Sequence, residues 1–157
     1  MNIDALIAEV VRLRADVDSL LERQIMRYAA GTWTPAFTGT STAGAFTYAG
    51  VNGHYVRLEN IVFIRGDLQI SAIGTPPTGN MTITGLPYTA ANIGAVTFGV
   101  ISNFNYAASA IQLGGDISGV AIRLTESFDN SANVAAPAAN FTNVDCRMNF
   151  AGLYLTS

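Results

Sequence analysis

The sequence predicts a mainly β protein in which an N-terminal α-helical coiled coil precedes an antiparallel, jelly-roll-like β-sandwich. Three observations support this fold class. A heptad repeat of apolar residues runs from Ile3 to Ile25, an alternating apolar pattern begins after Gly31, and the chain beyond the heptads is nearly uncharged. We divide the chain into a coiled-coil stalk at 1–28, a junction at 29–35 and a β-sandwich knob at 36–157.

The distribution of charge sets the helical segment apart. Only 12% of the 157 residues are charged, against about 25% in an ordinary globular protein, and residues 1–28 carry five of the 11 acidic and four of the 8 basic side chains. This length suits one hydrophobic core with a short appendage. Lysine is absent and the net charge is −3, so we expect no nucleic-acid partner.

The heptads predict a parallel coiled coil. Positions a hold Ile3, Val10, Val17 and Gln24, and positions d hold Leu6, Leu13, Leu20 and Arg27. Apolar residues that repeat every 3.5 residues are typical of helices that wind around each other, because an isolated helix of this length is marginal in water. Glu9 at g and Arg14 at the next e have the spacing of ion pairs between parallel helices.

The residues beside this seam bear on the number of helices. β-branched residues at a with leucine at d favour a dimer. Ile7 and Leu21 at e positions widen the apolar stripe and favour a third helix, and Gln24 is a polar residue that can fix the register. We predict a homotrimer. A dimer, or a single helix that packs its apolar stripe on the chain's own β domain, is the alternative.

Short alternating segments predict eight or nine strands with no helix among them. The candidates lie at 44–49, 54–59, 62–70, 81–85, 95–101, 110–114, 120–125 and 144–155. Turn residues separate them: Gly50, Asn52-Gly53, Glu59-Asn60, 74–80, Leu86-Pro87, Gly114-Gly115-Asp116 and 129–131. With so few charges, the β domain is expected to bury a second face against neighbouring copies.

The inventory of reactive side chains argues against catalysis and resident cofactors. His54 is the single histidine, so the chain cannot build a two-histidine zinc site, and the lack of lysine excludes a Walker A loop or a Schiff base. The spacing of the carboxylates after residue 36 singles out no catalytic pair. Cys146 fits a small buried hydrophobe in an alternating strand. We therefore expect no enzyme, no metal and no cofactor.

The N-terminus has neither the charge nor the apolar run of a signal peptide, and no stretch of about 18 apolar residues is available to span a bilayer. We expect a protein made in a cytoplasm, without membrane insertion.

Two loop segments combine aromatic rings with amides and hydroxyls, as sugar recognition requires. Their candidate receptor-binding residues are Asn103, Phe104, Asn105 and Tyr106 in one segment and Phe128, Asp129, Asn130 and Asn133 in the other. Loops at the distal end of a rigid domain are natural contacts for a receptor. The alternative is that the aromatic residues belong to the core and the asparagines form turns.

Three motifs follow one another along the chain after the heptads: Gly31-Thr32-Trp33-Thr34-Pro35, the run from Gly53 to Phe63, and Ile83-Thr84-Gly85-Leu86-Pro87-Tyr88. In this order they resemble the C-terminal modules of bacteriophage tail fibres and tailspikes. The resemblance extends loosely from residue 31 to about residue 155 and implies a trimeric β domain on a virion appendage. Physically, Trp33 and Pro35 are suited to plug the junction where the helix stops.

The patterns predict a short homotrimeric fibre or spike, and the resemblance implies that it is a structural virion protein whose knob contacts a host-surface glycan or protein. The N-terminal region would join it to other virion proteins. The alternative is a capsid decoration or stabilising protein of the same trimeric architecture without a receptor.

Overall fold

The computed structural model describes residues 2–24, 27–141 and 144–157, and the side chains of all of these except 22–24. Within these ranges, helix α1 (Ile3–Gln24) is followed by ten strands. The strands are β1 (Tyr28–Thr32), β2 (Ala36–Gly39), β3 (Phe46–Leu58), β4 (Ile61–Ile73), β5 (Met81–Thr84), β6 (Ala90–Ser102), β7 (Ala110–Gly119), β8 (Ala121–Phe128), β9 (Ser131–Ala135) and β10 (Arg147–Leu155). A short 3-10 turn lies at Ala138–Asn140.

Helix α1 confirms the helical segment that the heptads predict. Its sequence contains no glycine or proline, the Asn2 side chain accepts the Asp4 backbone N–H at 3.0 Å, and Arg12 pairs with Glu9 at 2.7 Å. The apolar residues of its seam are all exposed, from 49% for Leu6 to 72% for Ile3. The stripe therefore does not pack on the chain's own β domain, and the alternative of a self-docked helix is wrong.

The strands form one antiparallel sheet in the order β1-β3-β4-β10-β6-β7-β8-β5-β2, with β9 paired to β8. The two separate sheets of the predicted sandwich are not observed, because the single sheet curls into a half-barrel around one core. The edge strands β1 and β2 follow each other in sequence with only residues 33–35 between them. Long strands with bulges allow this curvature, for instance at Tyr48 in β3.

Several strand boundaries differ from the predicted ones. The candidates 44–49 and 54–59 are parts of the single long strand β3, so Gly50 and Asn52-Gly53 lie inside a strand rather than in turns. A Cβ at Gly53 would collide with the Trp33 carbonyl oxygen, which explains why glycine occurs there without a turn. Gly114-Gly115-Asp116 likewise lies inside β7.

Three strands had no sequence prediction: β1, β2 and β9. Strand β1 occupies most of the predicted junction 29–35, which is therefore partly a sheet edge. The turn at Glu59-Asn60 is present, with a positive φ of 54° at Glu59. The last predicted strand, 144–155, begins only at Arg147, and Val144 at its predicted start precedes β10 and is 52% exposed.

The core lies inside the curl and consists of the residues that the alternation predicts to face inward. In β4 these are Val62, Ile64, Leu68 and Ile70, all at most 4% exposed. Cys146 is fully buried, and burial raises the pKa of its thiol to about 11. Trp33 is 7% exposed and its ring meets Phe150 edge-on with ring centroids 6.1 Å apart, so it is a core residue of the β domain, and its role as a plug where the helix stops stays a prediction.

The strand registers define two ends of the sheet. We call the end where β1 starts, beside the turn at Glu59-Asn60, the helix end, because α1 precedes it in the chain. The opposite end, where β6 finishes and β7 begins, is called the distal end. The connections 103–109 and 129–130 both lie at the distal end.

Candidate functional site

The fold brings the two candidate receptor-binding segments together. Residues 103–109 connect β6 to β7, and residues 129–130 connect β8 to β9. Strands β7 and β8 are paired, with Ala110 opposite Phe128, so one connection enters the sheet where the other leaves it. Sequence reasoning predicted the segments separately, and the register of β7 on β8 makes them neighbours.

The aromatic residues of the first segment have different environments. Phe104 is 8% exposed and its ring meets those of Phe141 and Tyr106 edge-on, with both centroid distances at 4.9 Å. Phe104 is therefore a core residue, as the alternative interpretation held. Tyr106 is 43% exposed, and burial of the rest of its side chain, followed by the nearby Cys146 and Glu126, raises its pKa. Tyr106 is the aromatic residue of this segment that a ligand can reach.

The asparagines of this segment help to fix the loop. Asn103 has a positive φ of 55°, and its side-chain amide donates to the Asp145 carbonyl oxygen at 3.2 Å. The backbone N–H of Asn105 donates to the Asn140 carbonyl oxygen at 3.3 Å. Both side chains are exposed. Asn103 and Asn105 therefore help to hold the loop and still present their side chains at the surface.

The second segment forms a tight turn. Asp129 and Asn130 are exposed turn residues, and Asn130 has a positive φ of 59°, which asparagine tolerates better than most residues. Phe128 is half-buried at the end of β8, and Asn133 is exposed on β9. The predicted turn interpretation thus accounts for Asn130, whereas Asp129 and Asn133 present polar groups at the surface.

Glu126 is a site residue that the sequence analysis missed. Its side chain is 1% exposed, and its Oε1 accepts hydrogen bonds from the Ala107 backbone N–H at 3.0 Å and the Asn140 side-chain amide at 2.7 Å. The carboxylate therefore connects β8 to both the 103–109 connection and the segment at Asn140. The signal was present in the sequence, because Glu126 continues the inward-facing alternation of Ile122 and Leu124.

A groove opens between β6 and β7 next to these loops. The ladder between the two strands stops at Ala95 opposite Asp116, although both strands continue toward the distal end. The groove holds a cavity of about 380 Å³, within the range of ligand pockets. Its lining includes Phe98, Ile101, Tyr106, Ile111, Gln112 and Leu113, and no charged side chain. Sequence patterns could not predict this opening, because it arises from pairing between strands.

The remaining predicted residues lie elsewhere. The heptad residues Ile3, Leu6, Val10, Leu13, Val17 and Leu20 line one exposed stripe of α1, while the Gln24 side chain lies outside the described residues. His54 is exposed on β3. Across the described ranges, no group of three or more histidine, cysteine or acidic side chains is placed to hold a metal ion. In the part of the chain that the structure describes, no helix has the length and apolar character needed to cross a membrane.

Comparisons with known proteins give one structural likeness. No family model matches the chain, and no curated protein matches it. The crystal structure of the Dettilon tailspike protein superposes with a TM-score of 0.64 at 14% sequence identity, over 81% of this chain. The chain spans 23% of that tailspike's length. The chain thus has a fold related to part of a phage tailspike.

Proposed function

We propose that this chain is a structural protein of a phage virion, a short homotrimeric fibre or spike in which α1 forms a parallel coiled coil and the β domain contacts the host surface. The observation that carries the proposal is the uncovered apolar stripe of α1. The tailspike-like fold supports the phage assignment.

In a monomer, the apolar stripe of α1 would remain in contact with water, which is unfavourable. Val10, Leu13 and Val17 are 58%, 50% and 52% exposed, and a helix of 22 residues without tertiary contacts is only marginally stable in water. Parallel copies of α1 would cover these residues in a seam, at roughly 25 cal/mol per Å² of apolar surface buried. Ile7 and Leu21 at e positions are 57% and 55% exposed, which favours three helices over two.

The host contact is assigned to the distal end. Tyr106 offers an accessible ring, Asn105, Asp129 and Asn133 offer exposed polar groups, and the groove between β6 and β7 is lined without charge. A neutral ligand rich in hydroxyl groups, such as a host glycan, fits this combination, because rings stack on apolar C–H faces while amides bond hydroxyls. Three weak sites per fibre would act together through avidity.

Two measurements test the proposal. Light scattering after size exclusion should give the mass of a trimer, and a monomer would contradict the coiled coil. Binding of the purified protein to host cells should fall severalfold in Tyr106→Ala and persist in Val120→Ala, which alters an exposed residue at the helix end. A trimer that binds no host cell would instead be a capsid decoration protein.

A further inference from the structure

The outer face of the sheet carries an apolar surface at the helix end. Two cross-strand rows compose it, and we name it the helix-end patch. The first row consists of Tyr28, Leu58, Ile61 and Leu155. The second row consists of Ala30, Val56, Phe63, Leu153 and Ala95, and it ends where Ala95 lies opposite the ion-paired Asp116 of β7. Every residue of both rows has an apolar or aromatic side chain, so nine neighbouring positions on five strands form one continuous surface.

The patch faces away from the core and is uncovered in the single chain. Phe63 alternates with the buried Val62 and Ile64 and is 43% exposed. Leu153 and Leu155 lie on either side of the buried Tyr154 and are 41% and 37% exposed. A contiguous apolar surface of this kind on a soluble protein marks an interaction site.

The character of the same face changes along the strands. The next row toward the distal end already includes His54 and Arg65, and beyond it Arg147 and Asp67 form an ion pair at 2.5 Å. The apolar surface is therefore confined to the end of the sheet where the chain arrives from α1. A role for the helix-end patch should therefore involve this end of the sheet, where α1 precedes β1.

The junction between α1 and the patch is short, and its last residue is held by the β domain. Helix α1 ends at Gln24 and the patch begins at Tyr28, a separation of at most about 14 Å for an extended chain. Arg27 is tied to the turn after β3: the Glu59 backbone N–H donates to the Arg27 carbonyl oxygen at 2.8 Å, and the Arg27 N–H donates to Glu59 Oε1 at 2.9 Å. Copies that share a coiled coil consequently present their patches close to the common axis.

We propose that the helix-end patch is the surface on which a second copy of this chain packs, so that the β domains associate directly below the coiled coil. This inference rests on the proposed trimer and assigns the part of the β domain that forms it. The occupant is another copy because the apolar stripe of α1 and the patch are both uncovered, only a few residues separate them in the chain, and Arg27 is hydrogen-bonded to Glu59 beside the patch.

The test uses the full-length protein and compares Leu153→Glu with the control Val100→Glu. Val100 is 53% exposed on the distal half of β6, outside the patch. Leu153→Glu places a charge in the apolar surface and should weaken association at least tenfold in a dilution series followed by light scattering, whereas Val100→Glu should match the wild type. Both variants change outward-facing residues, and circular dichroism checks that they are folded.

A second measurement does not depend on the folding of a charged variant. In Leu153→Cys and Val100→Cys, the rate of thiol modification reports access to each position, and the buried Cys146 provides an unreactive background. Leu153→Cys should react at least tenfold more slowly than Val100→Cys in the assembled protein.

Each outcome distinguishes the two proposals. A trimer in which both glutamate variants associate equally and both cysteines react equally would overturn the assignment of the patch while leaving the coiled coil intact. A monomeric wild type would overturn the trimer itself, and the patch would then be no interface between copies.

Discussion

Replacement of Glu126 is expected to release the connection between β6 and β7 from the sheet. In Glu126→Leu, the Ala107 backbone N–H and the Asn140 amide lose the acceptor that now lies at 3.0 and 2.7 Å. A buried donor without a partner costs about 1–3 kcal/mol, so two such donors cost about 2–6 kcal/mol. Removing a buried carboxylate offsets part of this cost, and we expect a net loss of about 2–4 kcal/mol.

Glu126→Gln is the matched control, because it keeps the size of the side chain and an acceptor oxygen at Oε1, while it removes the charge and replaces Oε2 by an NH2 group. Hydrogen bonds to charged groups are worth about 1.5–3 kcal/mol and neutral ones about 0.5–1.5 kcal/mol, so weakening both bonds costs about 2–3 kcal/mol. Removal of the buried charge offsets part of this cost, and we expect a net loss of about 1–2 kcal/mol. Urea unfolding at one protein concentration measures both losses. Amide hydrogen exchange of residues 103–109 shows whether the loss is local.

The two variants should also differ in how strongly they bind host cells. If Tyr106 contacts a host ligand, the looser connection in Glu126→Leu should weaken host-cell binding more than Glu126→Gln does. Equal urea midpoints for wild type and Glu126→Leu, together with unchanged protection of the Ala107 amide, would refute the role of this carboxylate as an anchor.

Three further predictions concern single positions. The Arg147 guanidinium lowers the pKa of Asp67 below its ordinary value of 3.8, so the stability that this carboxylate contributes is present above that pH and is lost as pH falls through the lowered pKa. Burial raises the pKa of Cys146 to about 11, so a thiol reagent at pH 8 should modify it only after unfolding. Gly66→Ala would place a Cβ 2.7 Å from Cε2 of Phe150, and the overpacking should cost about 1–3 kcal/mol in urea unfolding.

Each of these predictions has its own control. Melting temperatures measured between about pH 5 and about pH 2 should fall less steeply in Arg147→Met than in the wild type, and parallel curves would contradict the coupling to Asp67. Rapid, stoichiometric modification of the folded protein would show that Cys146 is accessible. Gly50→Ala adds a Cβ with nothing within 4 Å and should leave stability nearly unchanged, and an equal loss in both glycine variants would exclude the Phe150 contact as the cause.

The elements that sequence reasoning identified are those whose signal is local. The heptads of α1 and the alternation of Val62, Ile64 and Leu68 depend on spacing within one segment, and the structure shows the corresponding helix and inward-facing strand. Gly53 was misleading because glycine also marks turns. Here it lies within β3 and allows the Trp33 backbone to approach, which depends on a residue 20 positions away in the chain.

The candidate site was only partly predictable for a related reason. The pattern of aromatic and amide residues located the distal loops, but it could not separate the buried Phe104 from the exposed Tyr106, since both occur in the same short run. The sequence analysis treated Glu126 only as one of the carboxylates whose spacing singles out no catalytic pair, although its place in the strand alternation indicated burial. The groove required knowledge of where the ladder between β6 and β7 ends.

The placement of charge follows from the proposed assembly. A coiled coil leaves the outer side of each helix in water along its whole length, so α1 needs charged residues on that side, and it carries them. The β domain has few charges. The described ion pair Arg147–Asp67 lies on rows outside the helix-end patch, and the pair Arg123–Asp116 borders the patch, because Asp116 lies opposite Ala95. Charge is thus kept out of the surface that the inference assigns to subunit contact. A chain that remained a monomer would gain solubility from charges there, because the patch would face water.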